Sequence, residues 1–201
     1  MSMQTGEAET TRTIALADPG PLGLACFALT TFVLSVFNAG LVDKEAQPVV
    51  FGLALFYGGA VQVLAGLLEF FKKNVFGAVA FCSYGAFWMA FWYLSSHPEF
   101  FPADSAHRVT GVGVFLLAWT IFTGYMWVVA LRINGVLAAT FTLLLITFIL
   151  LTIADLTGNH MLTTVAGFCG LITAFLAWYG SFAGVLNQTS GKALVPTWPR
   201  P

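Results

Sequence analysis

The sequence predicts an all-α, polytopic membrane protein built as a six-transmembrane-helix bundle. Three observations predict it. Of the 201 residues, 58% are hydrophobic and only 8% carry charge, against roughly 25% charged in an ordinary soluble domain. Eight Lys and Arg and nine Asp and Glu cannot cover the surface of a water-soluble globule of this size. The stretches between successive charged residues are also long enough to cross a bilayer. They run over 19–42, 46–68, 74–98, 109–131, 133–154 and 156–191, and about 20 apolar residues suffice for one crossing.

The first five stretches each supply one helix. The sixth supplies one long helix with a polar end, because a second crossing would need a tight polar turn near Gly180 that its composition does not offer. The connections fall at 42–47, 71–74, 95–108, 132–135 and 155–160. Only 95–108 is long, and its Pro98, Glu99, Pro102 and Asp104 suit a capped loop outside the membrane. The organisation is then an N-terminal tail over 1–18, a membrane domain over 19–187 and a C-terminal tail over 188–201. The first 18 residues lack the apolar core of a cleavable signal. An even number of spans puts both termini on one side. Arg12, Lys72, Lys73, Arg132, Lys192 and Arg200 share that side, and Lys44 and Arg108 face the other. The positive-inside rule places both termini in the cytoplasm, which makes the expected location the plasma (cell inner) membrane.

Polar side chains inside a membrane face the bundle interior, so their helical spacing marks inner faces. Phe27, Thr31, Leu34 and Asn38 form one stripe of the first helix; Gly58, Gln62, Gly66 and Glu69 form one in the second. Ala80, Tyr84, Phe87 and Phe91, with Ser83 alongside, mark the third, and Thr140, Leu144 and Thr147 the fifth. Each such polar group has two readings, hydrogen-bonded glue between helices or the lining of a conduit. Glu69 likewise is either an interfacial partner of Lys72 or Lys73, or a proton-titrating residue at a mouth. Ala166, Gly170 and Ala174 repeat at helical spacing, as do Ala54 and Gly58, which fits close packing within the bundle or between copies.

The absences narrow the function. No Lys or Arg lies deep in a span, so there is no Schiff-base lysine and no fixed cation for an anion path. His97, His107 and His160 lie at span ends or in a loop, and Cys26, Cys82 and Cys169 share no ligand spacing. The expectation is no catalytic residue, no metal and no cofactor. A net charge of −1 gives no clustered cations for nucleic acid. A conduit for something small and weakly charged fits best.

The segment Asp18-Pro19-Gly20-Pro21-Leu22-Gly23-Leu24 resembles the Asn-Pro-x-Pro-Leu-Gly-Leu signature of the acetate uptake transporter family, the succinate–acetate permease type. Phe27-Ala28-Leu29-Thr30-Thr31, Asn38-Ala39-Gly40, Phe56-Tyr57-Gly58-Gly59-Ala60-Val61-Gln62, Ala65-Gly66-Leu67-Leu68-Glu69 and Ser83-Tyr84-Gly85-Ala86-Phe87-Trp88 are similar to its first three helices. Weaker similarity reaches residue 196. The signature's leading Asn is Asp18 here, which still caps a helix but puts negative charge at the mouth. The resemblance implies a homohexamer with a pore in each protomer, acetate as substrate with succinate in some members, coupling to protons, and a hydrophobic constriction at Phe27, Tyr84 and Leu144. Substrate contacts are expected from the helix start at Pro21, Leu22 and Gly23, whose backbone sits at a positive helix end, and from Thr30, Thr31, Asn38, Gln62, Ser83 and the Tyr84 hydroxyl. Glu69 and Asp18 are the proton or mouth residues. The alternatives are an ammonium or ammonia exporter and a membrane scaffold with no conduit.

Overall fold

A computed structural model describes residues 16–100 and 105–200. Arg12 and most of the N-terminal tail, Pro102 and Asp104 of the long loop, and the side chains of His107 and Arg108 lie outside the described residues. The helices are α1 (Gly20–Asn38), α2 (Val49–Leu55), α3 (Gln62–Phe71), α4 (Val75–Ser96), α5 (Ser105–Ala130), α6 (Gly135–Thr157) and α7 (His160–Ser190). A π-helical stretch, Phe56–Val61, joins α2 to α3 into one rod, so six rods are long and apolar enough to cross a membrane. The last stretch is one unbroken helix of 31 residues. The fourth begins at Ser105, four residues before the charge-free stretch starts, because a helix can continue past the hydrocarbon into its polar flank.

Local chemistry starts four of the rods. The Asp18 carboxylate accepts the Gly20 N–H at 3.0 Å, and Pro21 occupies the first turn of α1, where proline loses no hydrogen bond. Asparagine opens three others. Asn74 accepts from the Gly77 N–H, Asn134 from Leu137 and Asn159 from Met161 and Leu162. An asparagine cap satisfies donors the helix itself cannot. Gly158 and Gly191 close α6 and α7 with positive φ of 68° and 64°, backbone conformations that favour glycine.

The rods form a ring. α1 packs most closely on α7, α7 on α6 and α6 on α5; on its other side α1 meets α3, which packs on α4. Small residues allow this. A side chain at Gly167 would strike the Ala39 backbone, and one at Gly170 would strike Ser35. The small-residue repeat of the last helix therefore serves packing within one protomer. The ring closes differently between α4 and α5, whose backbones barely approach. Aromatic side chains bridge that gap. Phe87 stacks on Phe115 at 5.7 Å and meets Trp119 edge-on at 5.3 Å, while Tyr84 meets Phe122 at 5.3 Å.

The π stretch alters the second span. Its wider turns shift Gly58, which lies within it, relative to Gln62, Gly66 and Glu69, which lie in the regular helix that follows. A side chain at Gly58 would lie 2.5 Å from Thr30 Oγ1 on α1, and one at Gly66 2.5 Å from the Cys82 backbone on α4. Gln62 and Glu69, two turns apart within α3, face the space between the rods.

Candidate functional site: two cavities and an aromatic plug

Two cavities enter the ring from opposite ends. The first, of about 250 Å³, opens where α1, α4 and α6 begin and α3 ends. Asp18, Gly20, Glu69, Asn74 and Asn134 surround its mouth, and Gln62 and Thr140 lie deeper. Phe27, Tyr84 and Leu144 stand at its inner end among its lining residues. The second, of about 660 Å³, opens where the same helices finish, with Asn38, Lys44, Gln47, Ser95, Asp155 and His160 in its wall. Leu34, Phe87 and Leu151 line its inner part. The cavities approach each other along the same three helices, one to two turns apart.

What separates them is a buried aromatic layer. The Phe27 and Tyr84 rings are 5.7 Å apart. Tyr84 lies 6.1 Å from Trp119, and Phe87 5.4 Å from Phe148. Phe27, Tyr84, Phe87, Leu144 and Phe148 are all buried. Phe27, Tyr84 and Leu144 are thus backed by a second layer of Phe87, Phe148 and Trp119. Sequence reasoning missed this layer as part of the neck. The signal was present, since Phe87 follows Tyr84 by three residues and Phe148 follows Leu144 by four, the spacings of one helical face.

The polar groups divide into satisfied and unsatisfied. The Tyr84 hydroxyl pairs with Thr123 Oγ1 at 2.9 Å, which fixes the ring in the plug. Thr30, Thr140, Thr147 and Thr152 each donate to the carbonyl four residues earlier, a local bond available to any helical threonine. Hydrogen bonds between rods include Thr120 with Thr152, Trp127 with Thr142 and Ser181 with the Pro21 carbonyl. Gln62 differs. It is 0% exposed, lines the first cavity, and neither its Oε1 nor its Nε2 has a partner. Glu69, 1% exposed, accepts from Asn74 Nδ2 through Oε2 and leaves Oε1 unpartnered. Lys72 donates instead to the Leu16 carbonyl. A side chain at Gly20 would lie 3.3 Å from that free Glu69 oxygen, so the carboxyl sits beside the start of α1.

The remaining expected contacts scatter. Phe27, Tyr84, Leu144, Gln62, Glu69 and Asp18 gather at the first cavity, and Asn38 lies at the second. Pro21 is buried and a side chain at Gly184 would touch it, while Gly23 seats Phe81. Leu22 is 38% exposed and turned outward. Thr30 packs at Gly58; Thr31 is buried with an unpartnered hydroxyl but does not line either cavity. Ser83, half-buried, also stands outside both linings.

The mouth has one further element. The C-terminal segment folds back over the α5–α6 turn. Gly135 N–H donates to the Thr197 and Trp198 carbonyls, and Arg200 N–H to the Ile133 carbonyl. Asn187 holds the segment from below by accepting from the Leu194 and Val195 N–H groups. Ile133 and Asn134, the residues so held, line the first cavity. The prolines at 196 and 199 were the available signal, since proline cannot continue a helix, and Trp198 between them takes a left-handed φ of 51°.

The chain is 36% identical to the chain in the structure of the bacterial acetate channel SatP, with a TM-score of 0.83 over 90% of this chain and 99% of that one. It is 37% identical to the succinate-acetate/proton symporter SatP of Escherichia coli, covering 90% of this chain and 95% of the relative. It is 39% identical to ammonia transport outward protein 2 of Saccharomyces cerevisiae, covering 92% of this chain and 67% of the relative. The GPR1/FUN34/yaaH family matches residues 1–201, and this multi-pass membrane protein belongs to it.

Proposed function

We propose that the chain carries acetate and related small carboxylates, succinate among them, across the plasma membrane together with protons. It acts as a transporter or channel and not as an enzyme, with both termini cytoplasmic, as a homohexamer with one path through each protomer. The names and structure of its relatives support the substrate class. The observation that carries the reading is the first cavity itself, in which a buried, unpartnered Gln62 amide stands just ahead of a plug of Phe27, Tyr84 and Leu144.

The mechanism follows from that order. A small acid entering past Asp18 and Glu69 loses its water against an apolar wall, and Gln62 replaces part of the lost hydrogen bonding. The methyl end then faces aromatic and aliphatic side chains, which accept it and offer nothing to a hydrated inorganic ion. Among the described residues no Lys or Arg lines this cavity, so the charged groups a bare carboxylate would meet there are Asp18 and Glu69. Such a site favours passage with a proton, because ionised groups are costly to desolvate without a partner. Glu69 is the residue suited to relay that proton at the mouth.

A second reading has one observation behind it. The free Glu69 oxygen beside aromatic rings is also a place for ammonium, and the yeast relative is named for ammonia transport. Labelled acetate and labelled methylammonium offered to proteoliposomes, with and without an inward proton gradient, separate the two. Acetate uptake stimulated by the gradient is expected. Uptake of methylammonium alone would replace the reading, and uptake of neither would favour a scaffold.

A further inference from the structure

We infer that the first cavity recognises its ligand through a paired donor and acceptor on Gln62, and that small uncharged primary amides such as acetamide therefore bind and cross by the same path as the protonated acid. The inference rests on the carboxylate reading and goes beyond it by naming the chemical species selected.

The argument begins with what in the cavity is free to bind. Asn74 is committed on both sides, to Glu69 and to Gly77 N–H. Asn134 Oδ1 caps Leu137, Thr140 is bonded to its own helix, and Tyr84 is paired with Thr123. Gln62 alone presents a complete, unused amide from a fully buried position. Thr31 and Trp88 also hold unpartnered polar atoms, but neither lines a cavity. A buried amide left without partners is costly in hydrocarbon-like surroundings, and a ligand or water repays it. Both Gln62 atoms are free, so the conclusion does not depend on which end of the amide is the oxygen.

An amide offers one N–H donor and one carbonyl acceptor side by side. A carboxylic acid matches it, with its C=O accepting from Nε2 and its O–H donating to Oε1. A carboxylate does not match, because its second oxygen would face Oε1 with two acceptors and no hydrogen between them. Asp18 and Glu69 in the same wall add like charge. A primary amide matches as the acid does, its C=O accepting and its N–H donating, in nearly the same volume. It carries no titratable proton, so its passage needs none. No bond is made or broken.

The test uses the full-length protein in proteoliposomes. Labelled acetamide should enter faster than into protein-free vesicles, and unlabelled acetamide should slow labelled acetate uptake. Acetone, of similar shape but without a donor, should not compete. Acetamide flux should stay level over a pH range in which acetate uptake changes roughly tenfold per unit. Gln62→Met, which keeps the volume and removes the donor–acceptor pair, should lose both fluxes while inserting normally. Competition in the unaltered protein is a readout that needs no variant to fold. Working acetate uptake with acetamide at background and no competition overturns the inference and leaves the carboxylate reading standing. Failure of acetate uptake in the unaltered protein sinks the carboxylate reading itself. Acetamide flux that survives Gln62→Met overturns the assignment to Gln62.

Discussion

Three side chains line the inner part of the first cavity, and the proposed function asks a different physical effect of each. Leu144 acts by volume. It is buried at the end of the cavity beside Phe27 and Tyr84, so Leu144→Ala removes the aliphatic part of the neck without touching a hydrogen bond. Uptake of lactate, one hydroxymethylene larger than acetate, should rise by about tenfold, the equivalent of roughly 1.4 kcal/mol off a barrier; equal lactate uptake in a well-folded variant would remove Leu144 from the neck. Tyr84 acts by position. Its hydroxyl is spent on Thr123, so Tyr84→Phe should keep acetate uptake and cost only about 1 kcal/mol of stability, as expected for one buried hydrogen bond, seen as a lower thermal midpoint. Gln62 acts by hydrogen bonding, and Gln62→Ala should lower acetate uptake by more than tenfold at normal membrane insertion. Normal uptake would return it to a structural role.

At the scale of elements, the π stretch and the C-terminal segment hold these side chains in place. The π stretch lets Gly58 seat on Thr30 while Gln62 faces the cavity, and a side chain at Gly58 has nowhere to go. Gly58→Val should therefore cost roughly 1–3 kcal/mol through overpacking and lower acetate uptake with it, which a thermal melt and a flux assay on one preparation would check. At the mouth, Asn187 anchors the segment that holds the α5–α6 turn. Asn187→Ala leaves the Leu194 and Val195 N–H groups and the Val195 carbonyl without this partner. The expected result is earlier proteolysis of the C-terminal segment and weaker acetate uptake, since Ile133 and Asn134 then lose their support. Unchanged cleavage would show that the other contacts suffice.

For the molecule as a whole, the two cavities and the uncharged layer between them decide how flux responds to pH. With no Lys or Arg among the described residues lining the first cavity, the proposed function has the uncharged species enter. An acid of pKa near 4 becomes about tenfold more neutral for each unit by which the pH falls toward that value. Acetate uptake should therefore climb as the external pH drops, and accumulation above equilibrium should vanish when a protonophore collapses the gradient while slow equilibrative exchange continues. Uptake that rose with pH instead would point to the anion as the carried form. The exposed flanks, including Phe56, Ile121 and Phe175 at 65%, 64% and 58%, are the apolar faces a membrane or further protomers would cover. Cross-linking in the membrane, read for species of six protomers, tests the hexamer.

The six rods were fixed by the chain's own composition, because too few charges and six long apolar stretches leave no other way to satisfy the backbone. Helix starts at Asp18, Asn74, Asn134 and Asn159 were equally local matters, each settled within a few residues. Periodicity placed Phe27, Tyr84 and Leu144 on inner faces for the same reason. Which polar residues were free was a different question. Thr30 and Gln62 look alike as intramembrane polar side chains, yet one is satisfied by its own helix and the other by nothing. Only the packed ring separates them, since a hydrogen bond depends on what lies across the gap. The second aromatic layer, the re-phased second span and the C-terminal clasp on the mouth likewise arise where distant segments meet.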